Sequence, residues 1–268
     1  MTKNNIKELS IQVNLNGLSF CILNRTNNTI SFLKSISFDH RLTPHNVLNQ
    51  LKSELSSNPV FSDEFNDVII IHQNELSTLV PQKLYSENHK ADYLKFNSKI
   101  LRTDFIATDE IAINNSVNIY VPYVNVNNFI FETFGAFVYK HASTLLIDTL
   151  MQGIDSKDTT KVAVNVNETS IDVIVLSDTQ LKLVNSFSYT TKEDFIYYIL
   201  FVFEQLTLNV ETDEVVLLGQ VDKDNELYQI LYTYVRHITF LDPEYKYKFS
   251  DEVNKNKLHN HYLILNSF

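Results

Sequence analysis

A stretch near the start of the chain, Ile11-Gln-Val-Asn-Leu-Asn-Gly-Leu-Ser-Phe20, returns in the second half as Val162-Ala-Val-Asn-Val-Asn-Glu-Thr-Ser-Ile171. Aligned without a gap, at an offset of 151 residues, the match continues to Phe38. The six identical positions are Val13, Asn14, Asn16, Ser19, Ser35 and Ser37. Of the other 22 pairs, ten place an apolar residue opposite an apolar residue. This pattern indicates an internal duplication.

Each copy begins with three predicted strands. Ile11, Val13 and Leu15 alternate with polar residues, and the same period of two returns over residues 30–32 and 36–38. This alternation is typical of half-buried strands, here joined by turns rich in Asn, Gly and Thr.

A helix and a buried strand follow the three strands in each copy. Thr43-Pro44 predicts an N-cap and a first helical residue. In the second copy Thr190-Thr-Lys-Glu193 predicts a capping box, for a helix running to about Asn209. The apolar runs Val68–Ile71 and Val215–Leu218 predict strands buried on both faces, as in the parallel part of a mixed sheet.

The copies define two predicted domains, residues 1–153 and 154–268. The first contains an inserted α+β segment at about residues 76–135. The boundary is placed at the polar stretch 153–160, and Gly153 is expected to end the preceding helix as a C-cap.

This repeated order of elements resembles the actin-like ATPase superfamily, which includes actin, sugar kinases, the heat-shock chaperone ATPase domain and bacterial cell-division and pilus-assembly relatives. The sequence also resembles a Bacteroidetes domain family of unknown function. The resemblance implies a duplicated ribonuclease-H-like α/β fold. Each of its two lobes would hold a mixed five-stranded sheet flanked by helices.

The resemblance also implies where a nucleotide would bind. In the superfamily ATP lies between the lobes, and the turn between the first two strands of each lobe wraps the phosphates with an Asp-x-Gly-(Ser/Thr) pattern. Glycine lets backbone amides approach the phosphate, and the aspartate holds hydrated Mg²⁺. In the first turn of this chain Gly17 and Ser19 fit the pattern, whereas Asn14 or Asn16 occupies the place of the aspartate.

The second turn departs further from the pattern. Its candidate nucleotide-binding residues are Asn165, Asn167, Thr169 and Ser170, and Gly219 is the candidate beside the adenosine. Asparagine again replaces aspartate, Glu168 stands where glycine is expected, and Gly219 is followed by Gln220 instead of a second glycine. The turns are therefore either plain hairpin turns, for which Asn and Gly are well suited, or residual phosphate contacts.

We therefore expect a pseudo-ATPase with no catalytic residues, no metal site and no resident cofactor. ATP with Mg²⁺ would bind only if the degenerate site still works. The favoured function is a non-catalytic interaction or scaffold module. The alternatives are a divergent ATPase or kinase, and a small-molecule sensor using the interlobe cleft.

Charge and hydropathy limit the partners. The net charge is −10, and residues 151–268 carry 18 acidic but only 10 basic side chains. Nucleic acids and anionic membranes require basic surfaces, so neither is an expected partner. No apolar run is long enough for stable membrane insertion, and no signal sequence is evident, so a cytoplasmic location is expected.

The helix predicted over Phe195–Phe203 is apolar around its whole circumference. Either both of its faces are buried within the chain, or one face meets another protein. The candidate partner-face residues are Tyr197, Tyr198 and Phe201, so a protein partner or self-association is expected.

Four remaining features are interpreted structurally. His259 and His261 are expected on one face of a strand, too few for a zinc site. Cys21 is expected in the core, and Asp148 on a solvated helix face. Tyr245–Lys248 is expected as a loop or an edge strand.

Overall fold

The computed structural model describes residues 6–96, 98–255 and 258–268. The chain divides into two compact units, which we call the first and second lobes. The first lobe comprises residues 1–146, 245–255 and 263–268, and the second comprises residues 147–244 and 256–262.

The described residues form strands and helices in the following order. The strands are β1 (Lys7–Val13), β2 (Gly17–Asn24), β3 (Thr29–Ser37), β4 (Asp67–His72), β5 (Ser77–Pro81), β6 (Ala107–Ile111), β7 (Ser116–Tyr120), β8 (Val138–His141), β9 (Thr160–Val166), β10 (Ser170–Ser177), β11 (Gln180–Ser188), β12 (Glu214–Gly219), β13 (His237–Phe240) and β14 (Lys248–Phe249). The helices are α1 (Pro44–Ser57), α2 (Lys90–Lys95), α3 (Val124–Phe134), α4 (Ala142–Gly153), α5 (Lys192–Gln205), α6 (Glu226–Tyr234) and α7 (Tyr262–Leu265).

The first lobe is built on a six-stranded sheet in the order β14-β3-β2-β1-β4-β8. β1, β2 and β3 are antiparallel, whereas β4 is parallel to β1 and β8 is parallel to β4. α1 begins as expected, because the Thr43 hydroxyl accepts the backbone N–H of Asn46 and Pro44 is the first helical residue. Val47 and Leu51 of α1 pack with the apolar face of the sheet.

The second lobe repeats this arrangement with a five-stranded sheet in the order β11-β10-β9-β12-β13. β12 is parallel to both β9 and β13, as expected for a strand buried on both faces. Phe195 and Ile199 of α5 join Leu227 and Leu231 of α6 in the core of this lobe. The predicted two-lobed α/β architecture with a duplicated mixed sheet is thereby confirmed.

The insertion between β4 and α3 forms a separate three-stranded antiparallel sheet in the order β5-β7-β6. A small cluster of its own, built around Val80, Leu94 and Ile119, holds it together.

Several local predictions were inexact. The capping box lies one residue later than expected, because Thr191 is the N-cap and Asp194 is its partner, and α5 ends at Gln205 rather than near Asn209. β8 was not predicted. The first sheet gains a sixth strand because β14 pairs with β3 from the far end of the chain.

Other expectations are confirmed or remain open. Part of the Tyr245–Lys248 region is an edge strand, and Cys21 lies buried in β2, where burial raises the pKa of its thiol. The division between the lobes falls inside α4, whereas the predicted domain boundary lies at the end of this helix. No helix among the described residues combines the length and the apolar character needed to cross a bilayer.

Candidate functional site

The turn between β1 and β2 is closed by its own polar groups. The backbone N–H of Asn14 donates to the Gly17 carbonyl (3.1 Å), and the N–H of Asn16 donates to Asn14 Oδ1 (2.7 Å). Asn14 Nδ2 in turn donates to Gln73 Oε1 at 3.1 Å. These groups are neutral amides, so the turn presents no charged oxygen to a metal ion.

Gly17 is explained by packing against β3. A Cβ atom at this position would lie 2.4 Å from the Ile36 carbonyl oxygen, which no side chain tolerates. Ser19, the other predicted phosphate contact, forms a hydrogen bond of 2.8 Å with Ser35 across the same two strands. Both residues therefore have a structural role within the sheet.

The turn between β9 and β10 closes in the same way. The Asn167 backbone N–H donates to the Ser170 carbonyl (2.8 Å), and the Tyr189 hydroxyl donates to the Asn167 carbonyl (2.7 Å). The Tyr189 N–H donates to the Thr169 carbonyl (3.0 Å). Glu168, at the tip, is exposed.

One carboxylate beside this second turn was missed in the sequence. Asp172 on β10 accepts hydrogen bonds from Asn165 Nδ2 (2.9 Å), Asn167 Nδ2 (3.1 Å) and the Ser186 hydroxyl (2.6 Å). Asn165 is only 3% exposed, so its amide faces this carboxylate rather than solvent. The two asparagines thus hold an aspartate in place, and the second turn does have a nearby negative charge.

Gly219 is required by the close approach of β12 to β9. Its φ is +82°, and a Cβ atom would lie 2.2 Å from the Val166 carbonyl and 2.8 Å from Asn165 Oδ1. The next residue, Gln220, donates its N–H to the same Val166 carbonyl at 2.7 Å. The structure therefore brings Gly219 together with the second turn, within a single lobe.

The hydrogen bonds also show which residues of the two lobes are equivalent. Gln73 donates to the Val13 carbonyl as Gln220 donates to the Val166 carbonyl, so the turns correspond at an offset of 153. The offset of 151 was therefore wrong in the first hairpin, since the true counterpart of Asn14 is Asn167. The cause is the hairpin formed by β2 and β3 in the first lobe, which is longer than the hairpin formed by β10 and β11 in the second lobe.

At the offset of 153, Ser19 corresponds to Asp172. Their cross-strand partners Ser35 and Ser186 also correspond, but at the offset of 151. The first lobe thus has a hydroxyl where the second has a carboxylate.

Two buried histidines lie side by side at the carboxyl ends of β4 and β8, where His72 pairs in register with His141. The Tyr123 N–H donates to Nδ1 of His72 (3.3 Å), and the Ser143 N–H donates to Nδ1 of His141 (3.1 Å). Nδ1 is therefore an acceptor in both rings, and the proton lies on Nε2. Burial lowers the pKa of His72 to about 4 and that of His141 to about 3.

The second ring nitrogens and a buried carboxylate complete this network. Nε2 of His72 donates to Asn127 Oδ1 (2.8 Å), and Nε2 of His141 donates to the Asn74 carbonyl (3.1 Å). Asp109 accepts the His141 backbone N–H (2.8 Å) and is bonded by the hydroxyls of Thr144 and Tyr120, while burial raises its pKa. Since these polar groups are satisfied within the lobe, we assign the network to stability.

The predicted partner face on α5 is only partly exposed. Tyr197 is 60% exposed and Phe201 is 38% exposed, whereas Tyr198 is half-buried. The opposite face of the helix is buried by Phe195, Ile199 and neighbouring residues. One face of α5 is therefore buried and the other is exposed, so burial of both faces is wrong, and contact of the exposed face with another protein stays a prediction.

The second lobe also has an open cavity of about 620 Å³ at the amino ends of β9, β12 and β13. Lys161 and Glu214 form an ion pair in its wall, beside Arg236 and His237. Ligands of parallel sheets bind at the carboxyl ends of the strands, so this mixed-charge cavity lies at the opposite edge from the turn.

The histidines near the C-terminus were expected on a strand, and this prediction was wrong. His259 and His261 belong to a short 3₁₀ helix, Leu258–His261, and His259 bonds the Val221 carbonyl and packs on Phe240. Within the described residues, no group of three or more His, Cys, Asp or Glu side chains is arranged to hold a metal ion. Asp148 is half-buried.

Comparison with known proteins supports the fold. A family model described as a protein of unknown function (DUF3822) matches residues 1–238. A crystal structure from Bacteroides thetaiotaomicron, described as a protein with an actin-like ATPase fold and unknown function, is 25% identical. The structural match covers 90% of this chain and 92% of the Bacteroides thetaiotaomicron chain, with a TM-score of 0.74.

Two more distant structures share the fold alone. A chain of the PilM–PilN type IV pilus biogenesis complex is 10% identical over 98% of this chain and 96% of its own, with a TM-score of 0.62. The ethanolamine utilization protein EutJ from Carboxydothermus hydrogenoformans is 6% identical over 97% and 88%, with a TM-score of 0.52. No curated protein matches the sequence.

Proposed function

The chain belongs to the DUF3822 family, and we propose that it is a catalytically inactive actin-like module that works by binding another protein. The observation that carries this proposal is the closure of both hairpin turns. Their amide side chains and the backbone N–H groups named above bond within the lobe instead of lining an open phosphate site.

The chemistry of magnesium supports the same conclusion. Mg²⁺ in nucleotide sites is held through carboxylates and phosphates, because hard cations prefer charged oxygen. The first turn offers the neutral side chains of Asn14, Gln73 and Ser19. Binding of Mg-ATP there would forfeit this charge stabilisation and would break existing hydrogen bonds.

Calorimetric titration with Mg-ATP, together with a phosphate-release assay, tests the proposal. We expect no binding heat at millimolar nucleotide and no phosphate release above a protein-free blank. Saturable binding or sustained hydrolysis would show that the module is a working ATPase.

Asp172 favours one second candidate, a divergent ATPase or kinase. Its carboxylate lies beside the second turn, where it could contact a hydrated cation after releasing Asn165 and Asn167. The variant Asp172→Asn separates the candidates, since an ATPase using this carboxylate would lose activity. Ser186→Ala is the matched control, because it removes one bond to Asp172 but keeps the charge.

We further propose that the partner protein binds to α5, at Tyr197, Tyr198 and Phe201. The location proposed for this protein is the cytoplasm. Large exposed aromatic side chains in a cluster are typical of protein-binding surfaces. The variant Tyr197→Glu should fold normally but lose association with its partner, whether that is another protein or a second copy.

A further inference from the structure

β11 is an unusually long outer strand. It has nine residues, whereas the other strands at the ends of the two large sheets, β8, β13 and β14, have four, four and two. In the described part of the chain, no strand pairs with the outer edge of β11. Proteins normally shorten, charge or cover such edges because they are templates for another strand, and β11 carries a single charged residue, Lys182.

The outer edge of β11 presents backbone groups that a strand could use. The Tyr189 N–H points towards β10, to the Thr169 carbonyl. In an antiparallel pair of strands, the backbone N–H and C=O groups of successive residues point alternately towards the partner strand and away from it. The N–H and C=O groups of Val184, Ser186 and Ser188 therefore point outward. Asn185 Oδ1 accepts the Ser186 N–H at 2.9 Å, in the place where the carbonyl of a neighbouring strand would lie.

A row of aromatic rings begins at this strand and continues along α5. Phe187 of β11 stacks on Tyr198 with 4.7 Å between ring centroids. Tyr198 contacts Tyr197 (5.3 Å), and Tyr197 stacks on Phe201 (6.2 Å). An open strand edge beside exposed side chains is the arrangement that binds extended peptides, because the backbone supplies affinity and the side chains supply selectivity.

In the first lobe, the outer edge of the equivalent strand β3 is covered at its start. There β14 pairs with Thr29 and Ile30, with the Lys248 N–H donating to the Asn28 carbonyl (2.9 Å) and the Ser250 N–H donating to the Ile30 carbonyl (3.0 Å). The covering segment, Tyr245-Lys-Tyr-Lys-Phe249, alternates aromatic and basic residues.

Charge favours the same chemistry at β11. Residues 151–268 carry 18 acidic and 10 basic side chains. Glu193 and Glu204 are exposed on α5, on either side of Tyr197 and Phe201 in the sequence. A basic segment would therefore be attracted, and an acidic one repelled.

We propose that β11 binds, by strand addition, an extended peptide segment of a partner protein that carries alternating aromatic and basic side chains. The aromatic side chains would stack on the row formed by Phe187, Tyr198, Tyr197 and Phe201. This inference rests on the proposed function, since it names the kind of partner that the module binds.

Val184→Pro is the decisive variant. It removes one outward N–H while leaving the inward bonds to β10 intact, and proline is tolerated where the N–H of an edge strand faces solvent. Val184→Thr is the matched control, because it keeps both the N–H and the β-branched shape. The probe is a fluorescein-labelled peptide Tyr-Lys-Tyr-Lys-Phe-Ser, the sequence of residues 245–250, and binding is measured by fluorescence anisotropy.

We expect saturable binding of the peptide to the wild type and to Val184→Thr. In Val184→Pro and in Tyr197→Ser the affinity should fall by about tenfold or more, a loss typical of one interfacial contact. An analogue with both lysines replaced by glutamate should bind at least about tenfold more weakly. Tyr197→Ser keeps the test valid if Val184→Pro fails to fold.

Three results would overturn the inference. They are no binding at millimolar peptide, equal binding to Val184→Pro in its folded form, and equal binding of the acidic analogue. A dimer that dissociates in Val184→Pro would assign the edge to a second copy instead. If the peptide does not bind, the outcome of the Mg-ATP titration does not change. The peptide assignment and the loss of nucleotide chemistry are therefore tested separately.

Discussion

Lowering the pH from about 7.5 to about 5.5 should destabilise the first lobe through the buried pair His72 and His141. Both rings accept a backbone N–H at Nδ1, so protonation of this nitrogen breaks a hydrogen bond inside the protein. Burial lowers the two pKa values to about 4 and about 3, from an ordinary value of 6.5. The folded state therefore resists protonation that the unfolded chain accepts.

The sign and the size follow from proton linkage. A depressed folded pKa contributes stability that is fully present above the unfolded pKa and is lost as the pH falls towards the folded pKa. Between about pH 7.5 and 5.5 each histidine removes about 1.4 kcal/mol, because the unfolded chain binds nearly one extra proton per ring at the lower pH. The pair should therefore lower the free energy of unfolding by about 3 kcal/mol.

Urea denaturation followed by circular dichroism at the two pH values measures this loss. The double variant His72→Gln/His141→Gln is the control and should lose most of the pH dependence. His261, whose pKa is also lowered by burial, should leave a residual effect of the same sign. Asp109, whose pKa burial raises, acts in the opposite direction at lower pH, which is why the range stops near 5.5.

Two results would refute the reasoning. In one, the free energy of unfolding of the wild type falls by less than about 0.5 kcal/mol between the two pH values, which is no more than the usual effect of a surface substitution. In the other, the double variant loses as much as the wild type.

Three further predictions concern the backbone, α5 and the thiol. Gly219→Ala should lower the free energy of unfolding by at least about 2 kcal/mol more than Gly135→Ala, because both glycines have positive φ but only at Gly219 would the added Cβ also meet backbone atoms; equal losses in urea denaturation would contradict the close approach at Gly219. Phe195→Ala should cost about 3–5 kcal/mol and Tyr197→Ser less than about 0.5 kcal/mol, since only the former is fully buried; similar costs for both would mean that the two faces of α5 are assigned wrongly. Cys21 should react with a chromogenic disulfide reagent only after unfolding, because burial raises its pKa and blocks access; rapid reaction of the native protein would disprove its core position.

Much of the fold could be predicted because its signals are local. Alternating apolar residues gave the three antiparallel strands of each lobe, and solid apolar runs gave β4 and β12. The cap at Thr43-Pro44 gave the start of α1 correctly. These patterns depend on neighbours within a few residues, which the sequence states directly.

The errors arise where the structure depends on residues distant in sequence. Because both turns contain two asparagines spaced two residues apart, the sequences of the copies match at an offset of 151. The backbone hydrogen bonds of the strands instead make Asn14 equivalent to Asn167, at an offset of 153. The link between Asp172 and Asn165 depends on this register and could not be seen beforehand. β14 covers β3 from more than 200 residues away, beyond the reach of any local pattern.

The α5 helix shows a different limit. An apolar circumference is compatible with burial of both faces or with one exposed face, and the sequence does not distinguish them. The choice is made by packing, since Phe195 and Ile199 enter the core of the lobe and Tyr197 does not.

Both hairpin turns are closed by hydrogen bonds within their own lobes, and we propose that neither of them binds a nucleotide. A crystal structure grown with millimolar Mg²⁺ and a non-hydrolysable ATP analogue tests this proposal most directly. We predict no density for nucleotide or metal at either turn, with the Asp172 carboxylate still bonded to the amides of Asn165 and Asn167. A triphosphate on the backbone of either turn, or a magnesium ion drawing Asp172 away from those amides, would contradict it.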